Sequence, residues 1–281
     1  MKLPRLTRRR FFAGCGVATA ATIVYTWRVE PHWYEVVERD LPIVGLPTEL
    51  SGRKLVQISD LHIGKLVDDD YIIAAIAHAC SLGDLLAITG DFMSCESGEQ
   101  TDHVARVLEK GLKHPPLGTV AVLGNHDFGR NWKNPAVAAA LQVRLEAAGI
   151  TLLRNDKTEV KGLQIAGVDD LWGGMFHPER AVATIDRDRP SLVLCHNPDG
   201  ADIKAWHGYR GWILCGHTHG GQCKPPFLPP PLLPVDNARY TAGEFDLGDG
   251  RNLYINRGLG YIRRVRFNAR PEITVFRLVT V

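Results

Sequence analysis

Five short apolar runs recur along this 281-residue chain, and each ends directly before a group of polar residues. The runs are rich in Leu, Ile and Val and span residues 55–59, 85–89, 120–123, 192–195 and 212–215. Such runs, bounded by Gly or polar residues, are typical of buried strands. Because open α/β sheets bind ligands at the carboxyl ends of their strands, the pattern predicts an α/β fold with one polar site.

The polar groups that follow these runs combine carboxylate, imidazole and amide side chains. They are Asp60-Leu61-His62, Gly90-Asp91, Gly124-Asn125-His126-Asp127, His196-Asn197 and Gly216-His217-Thr218-His219. Carboxylate and amide oxygens are hard ligands and imidazole suits Mn, Fe and Zn, so the mixture favours a pair of transition-metal ions over calcium. Two such ions can polarise a phosphoryl oxygen, activate water and stabilise a leaving oxygen. The residues therefore predict a two-metal phosphoesterase centre.

These motifs resemble those of the calcineurin-like metallophosphoesterase superfamily. Its blocks D-x-H, G-D, G-N-H-D/E, H and G-H-x-H occur here in the same order, from about residue 53 to the C-terminus. The resemblance implies seven metal ligands: Asp60, His62 and His219 for one ion, Asn125, His196 and His217 for the other, and Asp91 for both. It also implies that His126 contacts the phosphate or protonates the leaving group. His126 and Asp91 are thus the predicted catalytic residues.

The sequence around these blocks bears on the substrate. The segment 90–96 departs from the G-D-x-x-D-R-G block of Ser/Thr protein phosphatases, and Asp127 stands where those enzymes have Glu, which disfavours a protein phosphatase. The acid that orients the catalytic histidine in those enzymes is therefore absent. The strings at 256–260 and 270–272 resemble a bacterial membrane-associated branch of the superfamily. Known members of that branch are phosphodiesterases, some of which hydrolyse the pyrophosphate of UDP-2,3-diacylglucosamine.

Between the polar groups, the chain alternates apolar runs with amphipathic stretches. Helices are predicted from Asp68 through about Cys80 and near 101–113, 135–148 and 178–187, and further strands at 238–245, 252–256 and 273–279. These elements predict a four-layer α-β-β-α sandwich of two mixed sheets flanked by helices, preceded by an N-terminal targeting or anchor helix. The resemblance implies the same architecture.

The amino terminus is basic and is followed by an apolar stretch from Phe11 to Trp27. Residues 1–30 are predicted to be a twin-arginine-like signal or a membrane anchor, 31–52 a linker and lead-in, and 53–281 the metallophosphoesterase domain. An ordinary basic signal anchor is the alternative to twin-arginine export. Retention in the inner membrane is favoured over cleavage and release, because Ala18-Thr19-Ala20 lies inside the apolar run. The basic end predicts a catalytic domain that faces the periplasm or exterior.

Two further segments are expected to shape the substrate site. Residues 225–234 contain six prolines and form a stiff segment that is either an apolar lip, for acyl chains or a bilayer, or a rigid connector. Arg257, Arg263 and Arg264 belong to an arginine-rich stretch without acids and are predicted to bind substrate phosphate or anionic headgroups. The six cysteines contain no C-x-x-C, which favours buried free thiols and leaves a Cys195–Cys215 disulfide open.

Together these features predict a metal-dependent phosphodiesterase or pyrophosphatase in which a metal-bound hydroxide attacks a lipid-linked or cell-envelope phosphate. Mn is the expected metal, with Zn, Fe or Mg as alternatives. One alternative is a UDP-2,3-diacylglucosamine pyrophosphatase of lipid A synthesis on the cytoplasmic face, which conflicts with export. Another is a non-catalytic, metal-dependent envelope binding protein. The net charge of +2 gives no reason to expect a nucleic-acid partner.

Overall fold

The computed structural model describes residues 7–94 and 100–281. Lys2, Arg5 and Cys95 lie outside these residues. The strands are, in chain order, β1 (Glu35–Ile43), β2 (Lys54–Ile58), β3 (Leu85–Thr89), β4 (Thr119–Val122), β5 (Ile150–Leu152), β6 (Asp156–Val160), β7 (Leu163–Gly167), β8 (Ser191–Leu194), β9 (Gly211–Cys215), β10 (Gly243–Asp246), β11 (Arg251–Ile255) and β12 (Glu272–Thr280). The α-helices are α1 (Arg8–Val24), α2 (Asp69–Ser81), α3 (Gln100–Gly111), α4 (Pro135–Ala147) and α5 (Pro178–Ala183).

The strands form two six-stranded mixed sheets. The first sheet has the order β1-β12-β2-β3-β4-β5, in which β2 to β5 are parallel and β12 is antiparallel to β2. The second has the order β10-β11-β9-β8-β7-β6, with a parallel centre and an antiparallel strand at each edge. The parallel strands β3 and β7 are buried over their whole length, as is typical of the centre of a parallel sheet.

The two sheets pack face to face and helices cover their outer faces. Leu55, Val120, Leu192 and Leu214 belong to one buried cluster that joins the inner faces. Residues of α2, α3 and α4 pack on the outside of the first sheet, and α5 packs on the outside of the second. The predicted four-layer sandwich is therefore confirmed.

Individual elements differ from the sequence predictions at their ends. The predicted strand 238–245 is wrong before Gly243, because Thr241 accepts a hydrogen bond from the Thr218 hydroxyl and holds the segment in turns. The predicted helix 178–187 ends at Ala183, because the Gln164 side chain takes up both the N–H and the C=O of Asp186. Strands β1, β5, β6 and β7 were not predicted.

The N-terminal helix differs from the rest of the molecule. Helix α1 has no buried residue, yet the chain after it packs against the C-terminal part. The Glu30 carboxylate accepts from the backbone N–H of Ala269 at 2.8 Å, and the Arg266 N–H donates to the Thr26 carbonyl at 3.0 Å. Over the described ranges 7–94 and 100–281, we find no helix with the length and apolarity needed to cross a membrane. The anchor and the domain boundaries stay predictions.

Candidate metal centre

The loops that follow β2, β3, β4, β8 and β9 converge at one end of the sandwich, so both sheets contribute to the site. The seven predicted metal ligands lie in these loops and all are buried: Asp60, His62, Asp91, Asn125, His196, His217 and His219. The groups of potential ligands that meet there have donor atoms within 4.8 Å of one another. The structure brings six of the seven together, all except Asn125, although they are distant in the sequence. Their role as metal ligands stays a prediction.

The backbone of the site is unusual. Five of the seven ligands have left-handed φ angles between 47° and 71°: Asp60, His62, Asp91, His217 and His219. Gly90 has a φ of +90°, and a Cβ at this position would lie 2.6 Å from Nδ1 of His196. Left-handed conformations are uncommon for residues with side chains and concentrate where the surrounding structure imposes them. The tight turns thus aim these side chains inward, at a cost in local backbone energy.

The first cluster consists of Asp60, His62 and His219, together with Asp91. Nε2 of His62 lies 3.0 Å from Nε2 of His219, which in turn lies 3.2 Å from Oδ1 of Asp60. Oδ2 of Asp60 accepts the backbone N–H of His217 at 3.0 Å, whereas Oδ1 is buried and has no hydrogen-bond partner among the residues that the structure describes. Two facing imidazole nitrogens and an unpaired carboxylate oxygen are the donor atoms that a divalent cation needs.

The second cluster consists of His196 and His217, again with Asp91, and Asn125 is the further ligand that the sequence predicts for it. Nε2 of His196 lies 3.2 Å from Oδ2 of Asp91 and 3.2 Å from Nδ1 of His217. The side-chain oxygen and nitrogen of Asn125 are both buried and have no hydrogen-bond partner within residues 7–94 and 100–281. Because Oδ2 of Asp91 also lies 3.7 Å from Nε2 of His62, this carboxylate faces both clusters.

Backbone carbonyls fix the tautomers of two imidazoles. Nδ1 of His196 donates to the Thr89 carbonyl at 2.7 Å, and Nε2 of His217 donates to the Pro234 carbonyl at 2.7 Å. Since a carbonyl can only accept, these ring nitrogens carry the hydrogen, and in the neutral rings the opposite nitrogens keep their lone pairs. Both lone pairs point into the second cluster, as metal coordination requires. The residues present therefore fit a pair of divalent ions.

The electrostatics of the metal-free site favour the ligating protonation state at His62, His217 and Asp60, whereas Asp91 raises the pKa of His196. Burial lowers the pKa of His62 well below its usual value and, with His196 nearby, lowers the pKa of His217 to about 3, so both rings are neutral at pH 7. Burial alone would raise the pKa of Asp60, but His219 and His196 outweigh it and hold that pKa below the usual range. The carboxylate is therefore ionised and able to bind a cation.

His126, the predicted catalytic histidine, lies at the rim of the first cluster. Its backbone N–H donates to Oδ1 of Asp91 at 2.9 Å, and its ring packs edge to face against His62 at 4.8 Å. Trp132 lies on another side, 5.8 Å away between ring centroids. Nδ1 of His126 is buried and lacks a hydrogen-bond partner in the described part of the chain, and burial lowers the pKa of the ring. Packing between two rings thus orients a histidine for which the sequence offered no orienting acid.

Two buried aspartates near the site were not predicted. Asp127 accepts the N–H groups of Gly124 and Met93, and burial together with Asp91 raises its pKa well above the usual value. Burial also raises the pKa of Asp170 to about 6. Asp170 follows β7, so the strand-end rule applies to it as well. Asp170 was not predicted as a site residue because the sequence analysis did not recognise β7 as a strand.

The three arginines proposed for substrate binding occupy different environments. Arg257 forms ion pairs with Glu272 at 2.5 Å and Glu35 at 2.8 Å. Arg263 is exposed, and the Arg264 guanidinium lies 5.8 Å from the Trp27 ring. Their substrate role stays a prediction.

Arg266, from the same arginine-rich stretch, is fully buried and reaches the metal centre. Its Nη2 lies 3.3 Å from Nδ1 of His219 and donates to the Gly260 carbonyl at 2.6 Å. It thereby connects the C-terminal loop to a predicted metal ligand. Nothing in the sequence distinguishes it from its neighbours.

The proline segment and the strand cysteines lie close to the second cluster. Phe227 is fully exposed and Leu232 is 76% exposed, so the segment carries apolar groups on the surface. Its last residue, Pro234, supplies the carbonyl that binds His217.

Cys195 and Cys215 are buried free thiols on neighbouring strands, so the disulfide that the sequence left open is not formed.

Known proteins share both the motifs and the length of this chain. The family model for the calcineurin-like phosphoesterase matches residues 53–221. Phosphodiesterase YaeI of Escherichia coli is 32% identical over 98% of this chain and 100% of its own length. The uncharacterized metallophosphoesterase YkuE of Bacillus subtilis is 33% identical over 98% of this chain and 99% of its own. UDP-2,3-diacylglucosamine pyrophosphatase LpxG of Chlamydia trachomatis is 26% identical over 93% and 94%, respectively.

Proposed function

Since this chain belongs to the calcineurin-like phosphoesterase family and is a phosphoric ester hydrolase, we propose that it cleaves phosphodiester or pyrophosphate bonds with a pair of divalent metal ions. The observation that supports a paired site is the position of Asp91. One of its oxygens faces imidazoles of both clusters, and the other is tied to the backbone N–H of His126. A carboxylate held in this way is suited to bridge two cations.

The proposed ligands are the seven buried side chains of the two clusters. When bound, the ions would supply Lewis-acid activation of a water and of a phosphoryl oxygen. The protein's own contribution is orientation, since Thr89 and Pro234 fix two imidazoles and His217 fixes the Asp60 carboxylate through its N–H. We propose Mn as the activating ion because carboxylate, amide and imidazole donors suit it, with Zn, Fe and Mg as alternatives.

We assign His126 to the phosphate or to the leaving oxygen. Its Nδ1, which has no hydrogen-bond partner among the described residues, is the atom that would donate to a phosphate oxygen or give a proton to the leaving oxygen. The lowered pKa means that the free ring is neutral, so it carries one proton and one lone pair. Bound anionic phosphate would favour the protonated ring and so assist departure of the alcohol.

The proposed substrate is a lipid-linked or cell-envelope phosphate. The proline segment carries exposed apolar groups, and the carbonyl of its last residue, Pro234, bonds to His217 of the second cluster, which supports an amphiphilic substrate. The similarity to LpxG favours a nucleotide-linked lipid as a second candidate, namely UDP-2,3-diacylglucosamine on the cytoplasmic face. The two candidates differ in the side of the membrane on which the domain works.

We propose that the catalytic domain faces the periplasm or exterior, held by the N-terminal segment, on the basis of the Arg8-Arg9-Arg10 sequence and the apolar stretch after it. Protease digestion of intact spheroplasts and of lysed cells tests this proposal. The catalytic domain is expected to be digested in intact spheroplasts. Protection in intact spheroplasts, with digestion only after lysis, would contradict export and favour the cytoplasmic lipid substrate.

The experiment that tests the function is an assay of the purified full chain against bis-p-nitrophenyl phosphate, p-nitrophenyl phosphate and a nucleotide-linked lipid, with Mn, Zn, Fe and Mg each supplied in turn. Hydrolysis of a diester or pyrophosphate, strongest with Mn, is expected. Two tightly bound ions without turnover of any substrate would instead indicate a metal-dependent binding protein and overturn the proposal.

A further inference from the structure

Two tryptophans from different sheets meet beside the metal centre. Trp132 lies in the loop after β4, and Trp172 lies in the loop after β7. Their rings stack with centroids 5.1 Å apart and planes inclined by 23°. We call these two side chains the tryptophan pair. The pair connects the carboxyl ends of the two sheets on one side of the clusters.

The tryptophan pair touches both clusters through histidines. Trp132 lies 5.8 Å from the ring of His126, and Trp172 meets the ring of His217 edge to face at 4.6 Å. One tryptophan therefore contacts the predicted acid for the leaving group, and the other contacts a predicted metal ligand. A group esterified to phosphate at the clusters would lie next to these indole rings.

The backbone on both sides of the tryptophan pair is constrained. Asn131 and Trp132 have φ angles of 64° and 57°, a conformation that bulky residues rarely adopt. On the other loop, Oδ1 of the buried Asp170 accepts the N–H groups of Trp172 and Gly173 at 2.8 and 2.9 Å. Outliers of this kind concentrate at ligand-binding positions.

The pair is not needed to fill a core. Both tryptophans are only half-buried, and neither belongs to the three buried apolar clusters of the sandwich. Arg130 and Lys133 are exposed on either side of Trp132 and add positive charge there. Half-exposed aromatic surface next to cations suits a ligand that combines a ring with an anion.

From this geometry, and resting on the proposed function, we propose that the tryptophan pair binds a planar ring esterified to the scissile phosphate. The substrate class would then be aryl or nucleoside phosphoesters, including nucleotide-linked pyrophosphates, in preference to esters of small aliphatic alcohols. Trp132 and Trp172 are specificity-determining residues in this proposal, and Asp170 is a positioning residue that holds the Trp172 loop.

The test compares two inhibitors that differ only in the group attached to phosphorus. Phenylphosphonate and methylphosphonate are measured as competitive inhibitors of bis-p-nitrophenyl phosphate hydrolysis by the Mn-loaded full chain. We expect the wild type to bind phenylphosphonate about tenfold more tightly, the factor that one stacked ring typically contributes. Trp132→Ala and Trp172→Ala should each reduce this preference to about twofold or less, whereas Trp132→Phe, which keeps a ring, should retain most of it.

A matched control removes a tryptophan elsewhere. Trp33 is 52% exposed and its ring lies 4.0 Å from the Arg270 guanidinium, so Trp33→Ala should keep the wild-type preference. An unchanged preference in both Trp132→Ala and Trp172→Ala, or equal binding of the two phosphonates by the wild type, would overturn the proposal. A measurement on the wild type alone does not depend on whether the variants fold. At equal occupancy, phenylphosphonate should quench tryptophan fluorescence more than methylphosphonate does. Equal quenching would count against the proposal.

The two proposals fail in different ways. If the wild type hydrolyses no ester with any metal, the proposed function fails, and the phosphonate preference is then measured as direct binding by titration calorimetry. If hydrolysis is present but the preference does not depend on the tryptophan pair, only the further inference fails.

Discussion

The two halves of the metal centre hold their imidazoles by different means. In the second cluster, His196 and His217 donate to backbone carbonyls, which fix both tautomers. In the first cluster, His219 faces the buried guanidinium of Arg266, and Nδ1 of His62 is buried without a partner. The second half is therefore organised by the backbone and the first by side chains. Substitution of a supporting side chain should therefore weaken the first half of the centre more than the second.

The largest effect is expected from substitution of Asp91, the carboxylate that faces both clusters. Asp91→Asn removes the charge shared by both clusters, so metal content and kcat/KM should both fall, the latter by about a thousandfold. Metal analysis and the diester assay measure the two quantities. Asp40→Asn is the control, because Asp40 is an exposed acid paired with Arg277. Full activity in Asp91→Asn would exclude a shared metal ligand at this position.

The next effect should be confined to the first half. Arg266→Gln removes a buried cation that donates to several carbonyls, so the free energy of unfolding should fall by about 3 kcal/mol. Affinity at the site that includes His219 should fall about 10- to 100-fold, since His219 loses its support. Calorimetric metal titration and urea unfolding measure these quantities. Equal weakening of both sites would contradict the division into two halves.

The pH dependence of the metal-free protein offers a third comparison. His217 has a pKa of about 3 when folded and about 6.5 when unfolded. Below pH 6.5 the unfolded chain therefore takes up more protons, and this residue's contribution to stability declines as the pH falls toward 3. His62 acts in the same sense, because burial lowers its pKa. His196 acts in the opposite sense, because Asp91 overcomes burial and raises its pKa.

We expect the melting temperature, measured with a chelator present, to fall less between pH 7 and pH 5 in His217→Asn than in the wild type. Circular dichroism at both values measures the difference. An identical fall in the two proteins would show that His217 does not titrate on unfolding.

The smallest effect is expected on the outer side of the first half. Arg263 is exposed, and its carbonyl accepts from Gln222, close in sequence to His219. Arg263→Ala should raise KM about twofold for an anionic nucleotide-linked lipid and leave bis-p-nitrophenyl phosphate unaffected, as an exposed charge contributes little. An equal change for both substrates would argue against headgroup contact.

Much of the fold, and the position of the candidate site within it, could be predicted from the sequence. The runs before Asp60, Asp91, Asn125, His196 and His217 correspond to β2, β3, β4, β8 and β9, and the loops after them meet as strand-end geometry requires. Asp68 caps α2 through its side chain, as its position before an apolar helix predicts. Local pattern and strand direction suffice for these features.

The remainder depends on contacts between residues far apart in the chain. Strand β7 ends in Ala166 and Gly167, and none of the predicted ligand motifs follows it, so it was not recognised, and Asp170 and Trp172 were missed with it. Arg266 differs from Arg263 and Arg264 only by burial, which tertiary packing decides. The tautomers of His196 and His217 depend on which carbonyls lie opposite them, and periodicity carries no such information.

The carbonyl tethers of the second cluster have a consequence for how this protein tolerates change. The acceptors come from positions 89 and 234, but the oxygen atoms belong to the main chain, and every amino acid supplies one. Substituting Thr89 or Pro234 therefore leaves the acceptor present as long as the chain follows the same path. The orientation of His196 and His217 is therefore insensitive to the side chains at positions 89 and 234. Insertions, deletions or rerouting of the main chain there would change it.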